Sequence, residues 1–554
     1  MIHHPAQSSH PSPSDFGEAG RATPGLNDKI SLGYFSGCSG KSAKSSRQRR
    51  ADRNRVAQAA GIFAEPPGQL TDGAQIHLPV IGDGSKNMFM RVSSFYFLPK
   101  KIKLMFKHLN RYGVITLVVS AFFSTVSFGA NPFITSIYTA DPSAHVWSDG
   151  RLYVYPSRDI DPPRGCDLMD QYHVFSTADM ANWRDEGEIL RASQVPWGRK
   201  EGGFMWAPDC AFKNGTYYYY FPHPSETRWN DSWKIGVATS TKPASDFKSA
   251  GYIDGTGGFA MIDPCVFIDD DGQPYIYFGG GSKCSGGKLK ANMTELDGAV
   301  QPMTGLVDFH EATWVFKRKG IYYLTYADNN RRVNRLQYAT SSSPLGPWTP
   351  KGVYLDPTDC DTSHGSVVEF KGQWYAFYHN KSISGQGNLR SICVDKLNFN
   401  DDGTIQMVVQ TKTGVPSVGR APAPNPKPVK YAAGKASFGG GATIEKDGAA
   451  AGGKSGNLQL KDSYLQWDKV NGGHKGGRAT IDIYYAANEK SRLKLFVNDV
   501  DYSFVNTPST GGTNDYTGHS WLTVPLKAKK INSIKLVGGH GGVNVDYITV
   551  SPLP

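Results

Sequence analysis

The chain has 554 residues, too long for one ordinary domain and suited to two or three. Glycine (62) and tyrosine (28) are abundant and aromatic residues make up 12% of the chain, which favours tight turns and short strands and therefore an all-β class. The formal net charge is +11, but residues 1–111 hold 16 Lys and Arg against 7 Asp and Glu while the rest of the chain holds 44 against 42; a body so close to neutral excludes a basic nucleic-acid-binding domain.

Residues 1–104 show no helical or strand period. They are rich in Ser, Pro, Gly and basic residues, as in SGKSAKSSRQRRADRNR, and such a segment buries too little apolar surface to offset its ordering entropy. The expectation is a disordered stretch, or an upstream extension ahead of a true start at Met105. From Met105 the chain reads MFKHLNRYGVITLVVSAFFSTVSFGAN. Lys107 and Arg111 form a basic start, Gly113–Phe123 an apolar core, and Ser127, Gly129 and Ala130 the small residues of a cleavage site. This is the layout of a secretory signal over 105–130. The core is short for a bilayer span, which needs about 20 apolar residues. The reading is a secreted or periplasmic protein with no stable membrane span once mature; the alternative is a cytoplasmic tail ahead of a single anchor.

Seven cysteines are present: Cys38, Cys166, Cys210, Cys265, Cys284, Cys360 and Cys393. None forms a CxxC pair, which argues against thiol redox work and against a cysteine-rich zinc site. Export permits disulfides, and spacing assigns no pairing.

Residues 131–414 repeat. A turn followed by alternating aromatics appears as SDGRLYVYPS, KNGTYYYYF, DDDGQPYIYFGG, KRKGIYYLTY and FKGQWYAFYHN. Each reads as a hairpin turn and its returning strand, at a period of about 50–65 residues that suits one four-stranded blade. A second element, FSTADMANWRDEG, ATSTKPASDF and ATSSSPLGPWTPKG, follows three of them. The expected fold is a five-bladed β-propeller, with a solenoid or paired sandwiches as the alternative.

Immediately before each hairpin, where the innermost strand should lie, stand Asp141 in TADPSAHVW, Asp209 in MWAPDCAF, Asp263 in MIDPCVFI, Glu311 in FHEATWVF and His364 in TSHGSVVEF. Carboxylates among apolar or small residues are costly unless paired or functional, and a propeller brings such positions together around its axis. Two carboxyl groups across a sugar ring, one protonated and one ionised, suffice to cleave a glycosidic bond, and a third can raise the donor's pKa by repulsion. The triplet Asp141, Asp263 and Glu311 has the right residue types; spacing assigns none of the three roles. Turn caps or surface charges are the plainer reading of any one of them alone.

In the order and setting of these motifs, about residues 136–410 resemble glycoside hydrolase family 43, whose members are five-bladed propellers and mostly invert at the anomeric carbon. The resemblance implies Asp141 as general base, Glu311 as general acid, and Asp263 as the residue that orients substrate and raises the acid's pKa. It implies that Arg390, in GNLRSICVDKL, contacts substrate, and that His364 supports a calcium ion or a water cluster in the channel. No cofactor is required. Base and acid should then lie about 6.5–9.5 Å apart. Trp147, Trp206 and Trp314 are candidates to stack on a sugar face, with Trp206 preferred; His145, His310 and Asp209 are candidate polar contacts.

VPSVGRAPAPNPKPVK (415–430) reads as a Pro-rich linker. From Tyr431 to the C-terminus, short β-patterned runs separated by Gly-rich turns predict a jelly-roll β-sandwich. The closing GGHGGVNVDYITV resembles carbohydrate-binding module families 6 and 35, which implies that Asn544 bonds sugar hydroxyls. Tyr516 and Trp521, with Tyr464 and Trp467, are stacking candidates. These modules commonly open on Tyr-Glu-Ala-Glu, whose glutamates bind calcium; here Tyr431-Ala432-Ala433-Gly434 lacks both acids.

The implied function is inverting, exo-acting hydrolysis of plant cell-wall oligo- or polysaccharide by a monomer, as a β-xylosidase, an α-L-arabinofuranosidase or both. The loops at 157–173 and 223–233 would set the specificity. A β-galactofuranosidase or galactan-active enzyme is the neighbouring alternative, and a non-catalytic sugar-binding protein the alternative of another class.

Overall fold

The computed structural model describes residues 129–161, 168–226, 232–256, 261–328, 334–419 and 427–553. The segment 1–104, the signal segment up to residue 128, Cys38, Cys166, and the middles of the two specificity loops and of the linker lie outside the described residues.

Among the described residues, nineteen strands form five small antiparallel sheets, each following the chain in order. Blade I holds β1 (Ala140–Val146), β2 (Leu152–Ser157), β3 (Gln171–Thr177) and β4 (Trp183–Arg191). Blade II holds β5 (Asp209–Lys213), β6 (Thr216–Pro224), β7 (Trp233–Ser240) and β8 (Lys248–Tyr252). Blade III holds β9 (Cys265–Ile268), β10 (Pro274–Gly280), β11 (Lys283–Lys288) and β12 (Gln301–Pro302). Blade IV holds β13 (Phe309–Arg318), β14 (Ile321–Asp328), β15 (Leu336–Ser341) and β16 (Thr349–Leu355), and blade V only β17 (Ser366–Phe370), β18 (Gln373–Asn380) and β19 (Ser391–Leu397). The first strands touch in a ring, β1 against β5, β5 against β9, β9 against β13, β13 against β17 and β17 against β1, so they line the axis.

The hairpins form where the turn chemistry demands them. β5–β6, β13–β14 and β17–β18 close through two residues, Asn214-Gly215, Lys319-Gly320 and Lys371-Gly372, each with positive φ at both positions, as a type I′ turn requires. An added Cβ at these three glycines would meet nothing, so glycine is there for its backbone rather than for space. β2 and β10 are buried at every residue, because a blade is covered on both faces by its neighbours. That is why the repeats read as aromatic runs rather than as apolar–polar alternation.

Tyrosines peg adjacent blades together. Tyr155 of blade I donates to the Pro243 carbonyl of blade II at 2.7 Å, and Tyr277 of blade III to the Pro344 carbonyl of blade IV at 2.7 Å. Both prolines lie in the second repeated element. The ring closes at residue 131: the Asn131 side chain donates to the Val394 and Thr411 carbonyls and to Asp395, and accepts from the Val394 N–H, at 2.9–3.1 Å. The Phe133 N–H donates to the Ile392 carbonyl within β19 and the Thr139 N–H to the Arg390 carbonyl just before it.

The C-terminal sandwich packs two sheets. One holds β20 (Val429–Ala432), β22 (Thr443–Lys446), β23 (Lys454–Leu458), β25 (Gly477–Ala486), β28 (Gly518–Leu526) and β30 (Val543–Pro552); the other holds β21 (Ser437–Gly439), β24 (Tyr464–Val470), β26 (Ser491–Val497), β27 (Val500–Thr507) and β29 (Asn532–Val537). Here burial does alternate, as in β29. Cys210, Cys265, Cys284, Cys360 and Cys393 are buried free thiols. Among the described residues no helix is long and apolar enough to cross a membrane.

Candidate functional site

The openings of the inner strands carry the acids. Asp141 is the second residue of β1, Asp263 stands two residues before β9, Glu311 is the third residue of β13, and His364 precedes β17 by two. Asp141 (φ 50°) and Asp263 (φ 53°) both adopt the left-handed backbone region, as does Ala312 (φ 70°) beside Glu311. Two non-glycine residues held there at comparable points of two blades mark a strained, over-determined site.

Asp141 is buried in a cage. Arg390 donates from Nη1 to Oδ1 at 2.8 Å and from Nη2 to Oδ2 at 3.3 Å, and the Ser157 hydroxyl donates to Oδ2. The Asp141 N–H donates to His379 Nδ1 at 3.1 Å, and His379 Nε2 bonds the Thr362 carbonyl at 2.8 Å, which makes Nε2 the protonated nitrogen of a neutral ring. Burial alone would raise the Asp141 pKa; the Arg390 charge, with the neighbouring histidines and Ser157, outweighs it and holds the carboxyl below its ordinary value.

Arg390 is itself fixed. Its Nε and Nη2 donate to the two oxygens of buried Asp159 at 2.9 Å, its N–H to Asp159 Oδ2 at 2.7 Å, and Nη1 also to Thr362 Oγ1 at 2.8 Å. All five guanidinium donors are thereby engaged within the protein. Sequence reading assigned Arg390 to substrate; here it holds Asp141. Ser157, Asp159, Thr362 and His379 did not stand out in the sequence. Asp159 and Arg390 are 231 residues apart, and neither sits in a repeating motif.

Asp263 and Glu311 have the opposite environment. Burial raises both, and for Asp263 the Glu311 and Asp141 charges add to it. The Ala312 N–H donates to Asp263 Oδ2 at 2.8 Å, so the residue after Glu311 ties Asp263 to the strand that carries Glu311. His364 lies between Asp263 and Asp141, its Nδ1 3.6 Å from one and 3.9 Å from the other, and burial pushes its pKa down to about 4. His310 Nε2 is 3.7 Å from Glu311 Oε2. One cluster thus joins a carboxylate held ionised to a carboxyl pair biased towards keeping a proton.

The other sequence candidates fall at different depths. Asp209 does not share the level of these acids. Its Oδ1 accepts from Ser143 at 2.6 Å and pairs with His145 Nε2 at 2.7 Å, and its Oδ2 accepts from the Val266 N–H at 2.6 Å. It lies two to four residues further along the inner strands, where it ties β1 to β9. His145 stacks on Trp147 at 5.0 Å and lies 5.1 Å from Trp314. The Trp314 indole is buried and donates to the Val367 carbonyl at 3.0 Å. Trp147, six residues beyond Asp141 at the hairpin end of β1, donates to the Tyr155 hydroxyl at 2.9 Å. In blade II the level of the acids falls at Trp206, which is partly exposed. Its carbonyl accepts from the Tyr172 hydroxyl at 2.6 Å, and Tyr172 feels the Asp141 and Asp263 charges in addition to its burial.

In the sandwich, Asn544 donates to the Thr513 carbonyl at 2.9 Å, and Tyr516 of the same loop donates to Asp447 at 2.6 Å. Trp521 is elsewhere: it pairs with Asp482 while Asn544 pairs with Ala486, four residues further along β25. Tyr464 carries Lys535 over its ring at 4.2 Å, and Trp467 is core.

The described residues contain no group of three His, Cys, Asp or Glu able to hold a metal ion. Calcium takes six to eight oxygen ligands. Around His364 the nearby carboxylates are bound to Arg390, Ser157 and the Ala312 N–H, so these side chains do not fit a protein-ligated calcium site.

The family model for glycosyl hydrolases family 43 matches residues 130–405, and that for carbohydrate binding module (family 35) matches residues 443–550. The chain is 36% identical over 334 residues to a xylosidase/arabinosidase 43A of Humicola insolens, covering 50% of this chain and 98% of that protein. It is 28% identical to an arabinoxylan arabinofuranohydrolase of Bacillus subtilis, covering 70% of this chain and 85% of the other. Among solved structures, a GH43_1 enzyme of Xanthomonas citri complexed with xylotriose is 36% identical, covers 50% of this chain and 93% of its own, and has a TM-score of 0.46.

Proposed function

The chain belongs to glycosyl hydrolase family 43, and from that membership we propose that it releases terminal or side-chain pentose units from xylan- and arabinan-type plant glycans by single displacement with inversion. It is an enzyme acting on O-glycosidic bonds. Relatives over nearly their whole length bear the names xylosidase/arabinosidase and beta-xylosidase, which supports this choice of sugars.

In this reading Asp141 takes a proton from water as that water attacks the anomeric carbon. Glu311 donates its proton to the departing oxygen, and Asp263 keeps that proton on Glu311 until then while bonding a sugar hydroxyl. The supporting observation is the opposed proton affinity within one buried cluster, Asp141 lowered and Asp263 with Glu311 raised; general acid–base catalysis needs that inequality. Trp206 and His310 supply a wall beside the acids. His364 orients the cluster as a neutral imidazole. The chain is exported through the segment 105–130, and the sandwich binds glycan through Asn544 and Tyr516.

The test is a set of nitrophenyl β-D-xyloside, α-L-arabinofuranoside and β-D-galactofuranoside substrates, with NMR of the first anomer released. Turnover of one or both pentosides with inverted product is expected. Asp141→Ala and Glu311→Ala should each lower kcat by about 10²–10⁴-fold. A retained anomer overturns the mechanism, and preference for the galactofuranoside overturns the substrate.

A further inference from the structure

The sandwich reaches the loops that hold Asp141. From Ser157, the last residue of β2, the chain runs on through Arg158, Asp159 and Asp161, and before β19 it runs through 381–390. The first loop supplies two partners of the Asp141–Arg390 pair, the second supplies Arg390 itself, and the sandwich touches both. Arg158, 5% exposed, donates from Nη2 to Ser503 Oγ of β27. Asp161 pairs with Arg492 of β26. Lys490, just before β26, donates to the Ser384 carbonyl, and the Ser384 hydroxyl closes its own loop onto the Leu389 carbonyl at 2.6 Å. The Asn506 N–H donates to the Ser136 carbonyl at 2.7 Å, in the irregular lead into β1.

A second contact lies beside the first, on β4 of blade I, and the Tyr502 hydroxyl, one residue from Ser503, reaches it by donating to the Thr523 carbonyl at 3.1 Å. Thr523 of β28 donates its N–H to Asp185 Oδ2 at 2.7 Å and its hydroxyl to the Asp185 carbonyl at 2.6 Å. Arg478 bonds the carbonyls of Glu186 and Ala244. The first is different in kind. It places a buried arginine one residue from Asp159 and fixes both backbones that carry the Asp159–Arg390 bidentate pair.

We propose that the C-terminal sandwich is a working part of the hydrolytic site: through Ser503, Arg492 and Lys490 it holds the 157–161 and 381–390 loops, and so sets the position of Arg390 against Asp141. Ser503, Arg492, Lys490 and Arg158 are positioning residues that act through Asp159 and Arg390 without touching sugar. This rests on Asp141 being the base of the proposed mechanism.

The test uses the full chain. In one variant, Ser503→Ala, Lys490→Met and Arg492→Met are combined; Ser503→Ala alone is the milder version should the triple variant not fold. Thr523→Val weakens docking at the second contact. The loop-side variants should lower kcat by about ten- to a hundredfold, since small misplacements of a catalytic group are costly, with KM for a nitrophenyl pentoside little changed. They should also move the acidic limb of the kcat/KM profile towards neutral pH, because a carboxylate released from its arginine holds its proton more tightly. Thr523→Val should lower thermal stability and leave both limbs in place. Wild-type kcat and acidic limb in the loop-side variants overturn the inference, as does the same limb shift in Thr523→Val. Asp141→Asn separates the two failures. If it remains active, the reading of the base is wrong; if it is inactive while the loop-side variants are unaffected, only the role of the sandwich falls.

Discussion

At the scale of single residues, the site works by opposing two effects of burial. Desolvation raises every carboxyl in the cluster; at Asp141 the Arg390 charge, with His364, His379 and Ser157, reverses it, whereas at Asp159, bonded to the same arginine, burial still prevails. The five donors of Arg390 are shared between Asp141, Asp159 and Thr362. Arg390→Lys removes the planar fork that spans both acids. Loss of one charge-assisted bond, about 1.5–3 kcal/mol, corresponds to about ten- to a hundredfold in kcat/KM, and the acidic limb should move upward; pH–rate profiles with a nitrophenyl pentoside check this. Asp159→Asn should also lower kcat/KM, by loosening Arg390 without a hydrogen bond to Asp141. Stability should respond oppositely on the two sides of the site. Glu311 and Asp263 bind protons more tightly folded than unfolded, so their contribution is present at acid pH and is lost as pH rises through their elevated titration. Asp141 binds its proton less tightly folded, so its contribution is present above the ordinary carboxylate range and is lost as pH falls. Glu311→Gln should therefore gain thermal stability relative to the wild type as pH rises from acid to neutral, which melting curves across pH read directly.

At the scale of elements, turn chemistry and the tyrosine pegs decide the blades. Lys319-Gly320 is an exposed two-residue turn with glycine at φ 78°. Gly320→Ala puts a Cβ into the left-handed region and should cost about 1 kcal/mol, read as a fall in Tm with activity retained. Tyr277→Phe leaves the Pro344 carbonyl without its partner and should cost about 1–2 kcal/mol. These features explain why the blades were legible in the sequence: a type I′ turn and a doubly covered aromatic strand are both locally encoded, and each repeats. The same local signals put an acid or histidine near the start of every inner strand, but they do not report depth along the axis. β1 carries an irregularity between Ala140 and Ser143, and Asp209 opens β5 while Asp263 precedes β9. Residues that look equivalent in the sequence therefore sit on two levels, and Asp209 with His145 belongs to the deeper one. Trp147 and Trp314 follow their acids by six and three residues, and that offset carries them down the channel. Asp159 was illegible for another reason: a loop aspartate has no pattern of its own, and its arginine comes from the other end of the propeller.

At the scale of the whole molecule, the ring and the sandwich are joined through buried groups. Asp185, fully buried, binds the Gly187 N–H, lies 3.4 Å from His173 and receives Thr523 from the sandwich. The ring is shut by Asn131, which makes four bonds to residues 263 to 280 positions away. At about 1 kcal/mol each, Asn131→Ala should cost about 3–4 kcal/mol, measured by urea denaturation. Nothing local substitutes for that clasp, because its partners on β19 and at Thr411 leave the ribosome last among the propeller's strands. Until they arrive, blade I presents an open flank, and the gap between first and final blades stays an unfinished seam exposed to whatever the growing chain meets. The lag between making the opening residues and locking them is thus a cost written into circular architecture, and a chain cut short before β19 would lack every one of these partners and leave the circle open.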